Sequence, residues 1–308
     1  MAAAKRDLAV FLAAAVVFFL LDLGSGFFGR LLAPAGLSEG ATRVAVAVVL
    51  ALILYGNIAL LRLLSFWPQV VIVWLELLLL FLAFFASFNL SYTFITARIG
   101  FLITQGAFTT IYISLAAIAI ASAIALLGAL ARLSRNGFAY AIAGFYISFF
   151  RGTPLLLQVY LIYLGLPQLG FVTSAVPSGI AALALCYGAY MAEIFRAGIQ
   201  AIPYGQSEAG RALGLRPGVI LRQIILPQAI KIIIPPTGNQ FIAMLKDSSL
   251  VSVMGVWELM FLARTQGRAE FKNLEMLVTA AIIYWILSAV FETIQARLES
   301  HYRRSDRR

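Results

Sequence analysis

Residues 206–227 read QSEAGRALGLRPGVILRQIILP. The first half of this stretch is polar and basic, and it interrupts a chain otherwise made of long apolar runs. Gln206, Ala209, Gly210 and Leu213 recur at helical spacing, which predicts a helix with one nearly smooth face that a partner backbone can approach. Gly205 permits a turn before it. Gly214 suits a left-handed cap at its end, and Pro217 can open the next helix at its first turn. Glu208 places a negative charge near the expected helix start, favourable to the helix dipole and available to a basic partner. A connector lying on the membrane surface would instead need bulky apolar anchors and a broad basic face. The reading is a docking loop over residues 200–228, carried by Gly205, Gln206, Ser207, Glu208, Ala209, Gly210, Arg211, Ala212, Leu213 and Gly214.

The rest of the chain explains what such a loop would hang from. Hydrophobic residues make up 62% and charged residues 12% of its 308 residues, against roughly 45–50% and about 25% in soluble domains. A soluble fold has too little interior for this much apolar side chain, so most of the surface must face lipid. The formal charge of +10 fits lysine and arginine held in cytoplasmic loops; no basic patch with interleaved aromatics points to nucleic acid. Cys186 is the only cysteine and His301 the only histidine. That argues against a disulfide, a cysteine zinc site, a zinc protease and a Ser-His-Asp hydrolase. No GxxxxGK[ST] loop occurs, so energy coupling must come from a partner.

About 20 mostly apolar residues cross a membrane as a helix. Eight spans are expected, near Leu8–Phe28, Val44–Leu64, Val70–Phe88, Ala107–Ala131, Phe138–Leu164, Ser178–Ile199, Ala229–Leu245 and Met276–Ala296. The shorter run Leu250–Leu262 suits a re-entrant or interfacial helix. Lys5 and Arg6 flank the first span, which lacks a small-residue cleavage site and is read as retained. With both termini inside, most lysines and arginines fall on the cytoplasmic side. Arg30, Arg43, Arg98, Arg264, Arg268 and Lys272 fall outside, and Arg151 and Lys246 lie at membrane depth. The same orientation places Glu208 in the cytoplasm. Residues 1–100 are read as an N-terminal extension of three spans, in which Glu76 is the one notable carboxylate.

Several polar residues fall within the later spans. Arg151 lies about 13 residues into its span, where a lone charge costs at least roughly 2.5–3.5 kcal/mol. It must meet protein, water or a counter-charge: either an ion pair with Glu193 or Asp247, or a solute. Thr153-Pro154 frees backbone groups, which is tolerated only where they are buried or line a cavity. Tyr190 and Glu193 share a helix face that could border a solute path. Glu193 could pair with a cationic group of a solute or with Arg196, three residues on. Lys246 and Asp247 are adjacent and point apart; Asp247 or Ser248 is expected to cap the helix that begins at Leu250. Pro235-Pro236 is expected to break the helix near Asn239 and Gln240, either as a simple kink or as part of a solute site.

Glu208-Ala209-Gly210, with Gly214 and Leu226-Pro227, resembles the EAA signature of permease subunits of bacterial ATP-binding cassette importers, with Gly210 where alanine is usual. Four further blocks resemble the polar amino-acid importers of that group. These are Phe150-Arg151-Gly152-Thr153-Pro154-Leu155, Gly188-Ala189-Tyr190-Met191-Ala192-Glu193-Ile194-Phe195-Arg196, Pro235-Pro236 with Asn239-Gln240, and Leu245-Lys246-Asp247-Ser248-Ser249-Leu250-Val251-Ser252-Val253. The resemblance covers roughly the last two-thirds of the chain and implies an all-α membrane bundle with a five-helix permease core over residues 101–308. It also implies a partner ATPase dimer that uses ATP and magnesium, a second permease subunit, identical or related, and a periplasmic or lipid-anchored solute-binding protein. The chain itself would carry no cofactor and no catalytic residue. A secondary transporter or channel is the rival reading; it would need inverted repeats or an ion-coupling cluster, and neither is visible.

Overall fold

The computed structural model describes residues 2–22, 38–86 and 88–304. All regular elements among them are helical. The chain divides into two compact units, Met1–Leu90 and Ser91–Arg308, each of which has its own packing.

In the first unit, helices α1 (Ala2–Leu20), α2 (Glu39–Leu61) and α3 (Phe66–Ala86) follow one another. Helix α1 packs against α2, which buries Val46, Ala47 and Ala51. Helix α3 buries none of its residues and is apolar apart from Gln69 and Glu76, so its surface suits lipid. Half-buried Glu76 lines a cavity with Gly56 and Asn57 of α2. The part of the expected first span beyond residue 22 lies outside the described residues.

The second unit begins with a long helix, α4 (Tyr92–Leu133), interrupted by a π-helical turn at Leu102–Ala107. It extends well upstream of the span expected from Ala107, because Phe94 and Ile95 pack on a cluster that includes Leu102, Leu259 and Met276. Beyond the π turn, Ile113, Ala117, Ala121, Ala125 and Ala129 repeat every fourth residue and are wholly buried. Their stripe lets α4 lie close along α7 (Ala175–Gln200), the most extensive helix pair in the unit. Close packing of small residues substitutes here for the hydrophobic drive that lipid removes.

The expected span over residues 138–164 is two helices. Helices α5 (Gly137–Gly152) and α6 (Leu155–Gln168) meet at a bend of 110°. Proline 154 has no N–H to offer the carbonyl four residues back and cannot continue the helix. Among the described residues, six single helices are long and apolar enough to cross a membrane, and the bent pair makes a seventh if it counts as one span.

Helix α8 (Tyr204–Ala212) leads into α9 (Pro217–Met254), which opens with a π turn at Leu221–Ile225 and closes with a 3-10 turn at Ser248–Met254. Contrary to expectation, Pro235 and Pro236 do not break α9; both lie inside its continuous α-helical part, Leu226–Asp247. Gly255, at φ +79°, ends the 3-10 turn. The expected short helix over residues 250–262 is therefore split, and α10 runs over Leu259–Ala269. The chain ends in α11 (Asn273–Arg304).

Candidate functional site

Helix α7 carries Tyr187, Tyr190, Glu193 and Arg196 at successive spacings of three, a polar stripe on an otherwise apolar helix. Two groups from other helices engage it, and a third set of contacts lies within α7 itself. The Tyr187 hydroxyl donates to Asp247 Oδ2 at 2.7 Å. The Arg151 guanidinium lies 5.5 Å from the centre of the Tyr190 ring, within the range of cation–π attraction. Glu193 Oε2 accepts from Arg196 Nε at 3.1 Å and Nη2 at 2.7 Å, and Arg196 also reaches Gln200 Oε1 at 2.6 Å.

Arg151 forms no ion pair with Glu193 or Asp247 among the described residues; it sits at the exposed end of α5, beside the bend, rather than midway along a straight span. Glu193 is held by Arg196. Asp247 makes no side-chain cap bond; its Oδ2 accepts from Tyr187 instead. Lys246, its neighbour, is exposed and points elsewhere, as adjacency requires.

The residues around Pro235 are not part of this cluster. Gln295 of α11 donates to Asn239 Oδ1 at 2.9 Å and to Pro235 O at 3.1 Å. A side chain on Gly238 would meet Gln295 Cδ at 2.6 Å, so α9 and α11 touch closely here. Asn239 thus joins two helices, and Gln240 is half-buried in the same turn. This polar tie links α9 to α11 beside the two prolines.

Sequence reasoning missed Gln158, which fixes the bend. It is 2% exposed, and its Nε2 lies 2.8 Å from Phe150 O, 3.0 Å from Thr153 O and 2.9 Å from Thr153 Oγ1. Phe150 O is the carbonyl that Pro154 deprives of a helical partner. Thr153 Oγ1 in turn donates to Phe149 O at 2.9 Å. A polar residue four positions after Thr-Pro in an apolar run is the signal that could have found it. Gln158→Leu leaves these acceptors bare and should destabilise the bend by about 1–3 kcal/mol; thermal unfolding of the purified chain, with Gln158→Asn as partial rescue, checks this.

Just beyond the C-terminal end of α7, α8 forms a nine-residue helix. Gly214 adopts φ +72°, and Leu215 N donates to Gly210 O at 3.0 Å, the cap expected there. Two details differ. Gly210 faces inward: a Cβ there would meet Ile220 Cγ1 at 2.8 Å, so the missing methyl serves packing within the loop and not a docking face. Glu208 lies past the first turn, where the helix dipole gives it little. The outward surface consists of Tyr204, Gly205, Gln206, Glu208, Ala209, Arg211, Ala212 and Leu213, all exposed, with Ser207 half-buried. Arg211 Nη1 donates to Tyr204 Oη at 3.2 Å.

A third polar centre also escaped the sequence. Glu258 is fully buried and caps α10, accepting from Met260 N at 2.8 Å, Phe261 N at 2.7 Å and the Tyr284 hydroxyl at 2.7 Å. Burial pushes its carboxyl up to about 7, against the lowering effect of those donors and of Arg264.

Comparison with known proteins identifies the architecture. Residues 124–304 match the family described as binding-protein-dependent transport system inner membrane component. The arginine transport system permease protein ArtQ of Bacillus subtilis is 42% identical over 54% of this chain and 76% of its own length. The L-cystine transport system permease protein TcyB of the same organism is 36% identical over 67% and 87%. The crystal structure of an amino acid ABC transporter with histidines superposes with a TM-score of 0.65 at 36% identity, covering 70% of this chain and all of that one. With the match spanning the α7 stripe and the α8 loop alike, this multi-pass membrane protein belongs to the family of inner membrane components of binding-protein-dependent transport systems.

Proposed function

We propose that this chain is the translocation subunit of an ATP-driven importer of polar amino acids. The observation that carries the reading is the pairing of two features along one helix. Tyr187 meets Asp247 and Tyr190 meets Arg151, with the Glu193–Arg196 pair beside them, and α7 then runs into the exposed α8. Force applied to α8 can therefore tilt the helix that carries the polar stripe. The named relatives transport arginine and cystine, both polar amino acids. Two such subunits, identical or related, enclose the pathway and alternate its access. An ATPase dimer docks on α8 from the cytoplasm and supplies ATP and magnesium chemistry, and a periplasmic or lipid-anchored binding protein delivers the solute. This chain makes and breaks no covalent bond and carries no cofactor.

In this reading Arg151, Thr153, Tyr190, Glu193, Lys246 and Asp247 border the path, with Asn239 and Gln240 supporting it from α9. Both termini are cytoplasmic, and the first unit is an extension added to the permease core in the bacterial inner membrane. A secondary transporter would have no use for the α8 loop. Glu208 is exposed and makes no ion pair among the described residues, so its charge is free for a basic partner. Glu208→Lys should lower co-purification of the ATPase several-fold while membrane insertion stays normal. Undiminished co-purification would remove the docking role of α8. Uptake of labelled amino acids by the reconstituted complex, dependent on ATP, tests the transport itself.

A further inference from the structure

We infer that Arg264 and Arg268 build an oxyanion site that receives the α-carboxylate of an amino acid in transit. The inference rests on the amino-acid reading above and adds to it a second polar station. Helix α10 places the two arginines four residues apart on one face. They line a cavity of about 380 Å³ together with Tyr160, Ser252 and Thr265. No carboxylate lines it.

The nearby acids are already engaged. Glu270 is paired with Arg98 at 3.4 Å. Both oxygens of Glu258 are taken by Met260, Phe261 and Tyr284. Neither arginine forms an ion pair among the described residues, and the hydroxyls of Tyr160 and Ser252 make no hydrogen bond there. The Thr265 hydroxyl donates to Phe261 O at 2.8 Å. The cavity thus holds two fixed positive charges and a surplus of donors. Its complement is a group with two anionic oxygens, which guanidinium forks match in geometry.

A carboxylate and a lipid phosphate share that chemistry. The position favours the carboxylate. Ser252 and Gly255 belong to, or directly follow, the 3-10 turn Ser248–Met254, and Asp247 stands at the other end of that turn. Seven residues of 3-10 helix span roughly 14 Å. One short turn thus links a cavity of donors to the acceptor held by Tyr187; the separation is too long for the two charged groups of one α-amino acid to be held at both at once, so the two serve as successive stations on one path. The turn lies at the opposite end of α9 from α8, so it faces outward in the proposed orientation.

The test is peptide-resolved phenylglyoxal labelling of arginines in the complete importer, reconstituted in phosphatidylcholine vesicles. The twenty L-amino acids are the protecting probe, and their α-amides are the control. Amino acids should slow labelling of Arg264 and Arg268 several-fold relative to Arg98, and the amides should not. Equal protection by both, or by neither, overturns the inference. Protection seen only when phosphatidylglycerol is added assigns the site to lipid phosphate, and protection seen only with the binding protein assigns it to a protein contact; either also overturns it. Uptake of the same labelled amino acids is measured in parallel. Uptake without protection sinks this site alone, whereas protection without uptake sinks the transport reading and leaves the site. The double variant Arg264→Gln with Arg268→Gln should lower uptake several-fold with basal ATP hydrolysis and ATPase association unchanged; a matching loss of association would show a merely structural role.

Discussion

Gly188→Val should abolish the folded bundle, and Gly188→Ala should already lower its thermal midpoint clearly. A Cβ at Gly188 would stand 2.8 Å from Tyr146 Oη and 3.0 Å from Ile124 Cγ2. Neither neighbour can retreat cheaply. The Tyr146 hydroxyl is pinned by its 2.6 Å bond to Leu185 O, and Ile124 belongs to the α4 face that lies along α7. Overpacking a tight core costs about 1–3 kcal/mol, and valine adds two further methyl groups in the same space. In lipid the loss is not recovered by hydrophobic burial elsewhere, because helix association rests on close packing. Monodispersity and thermal unfolding of the detergent-purified chain measure the effect. Gly100→Ala, where nothing lies within 4 Å, is the control and should match the unaltered protein or exceed it slightly through helix propensity.

Removal of the Glu258 carboxylate should be nearly as damaging. Glu258→Ala strips acceptors from two helix-starting N–H groups and a buried hydroxyl at once. Loss of an N-cap costs about 0.5–2 kcal/mol, and each buried donor left unpaired adds about 1–3 kcal/mol. Glu258→Gln retains one acceptor and should lose less. The two variants also separate a pH effect. The folded carboxyl is held near 7, above its ordinary 4.5, so the folded state keeps a proton that the unfolded state has released. Stability from this group is therefore greatest below about 4.5 and declines as pH rises toward 7, by a total of about 3 kcal/mol. Unfolding midpoints should fall between pH 5 and pH 8 (about the range where the two states differ), and Glu258→Gln should flatten that slope. An unchanged slope in the variant would assign the pH dependence to other groups.

Both predictions rest on contacts that the sequence does not display, whereas the class of the protein was plain from it. Apolar runs of membrane length, the basic loops and the polar interruption at residues 206–227 are local properties, and local properties are what hydropathy and helical spacing record. Gly214 with Pro217 marked the end of one helix and the start of the next for the same reason, since backbone preference is written residue by residue. Tertiary structure alone decided what each polar residue meets. Arg151 could have faced Glu193 or Asp247 and instead lies over Tyr190, because Pro154 bends the chain and Gln158 secures the orphaned carbonyl. Pro235-Pro236 could have broken α9, but the helix runs on through them, with Gln295 of α11 docked against Pro235 O and Asn239. Gly210 looked like part of an outward face until Ile220 packed beneath it. Spacing along a helix fixes which residues share a side, but which side turns inward depends on the neighbour that closes over it.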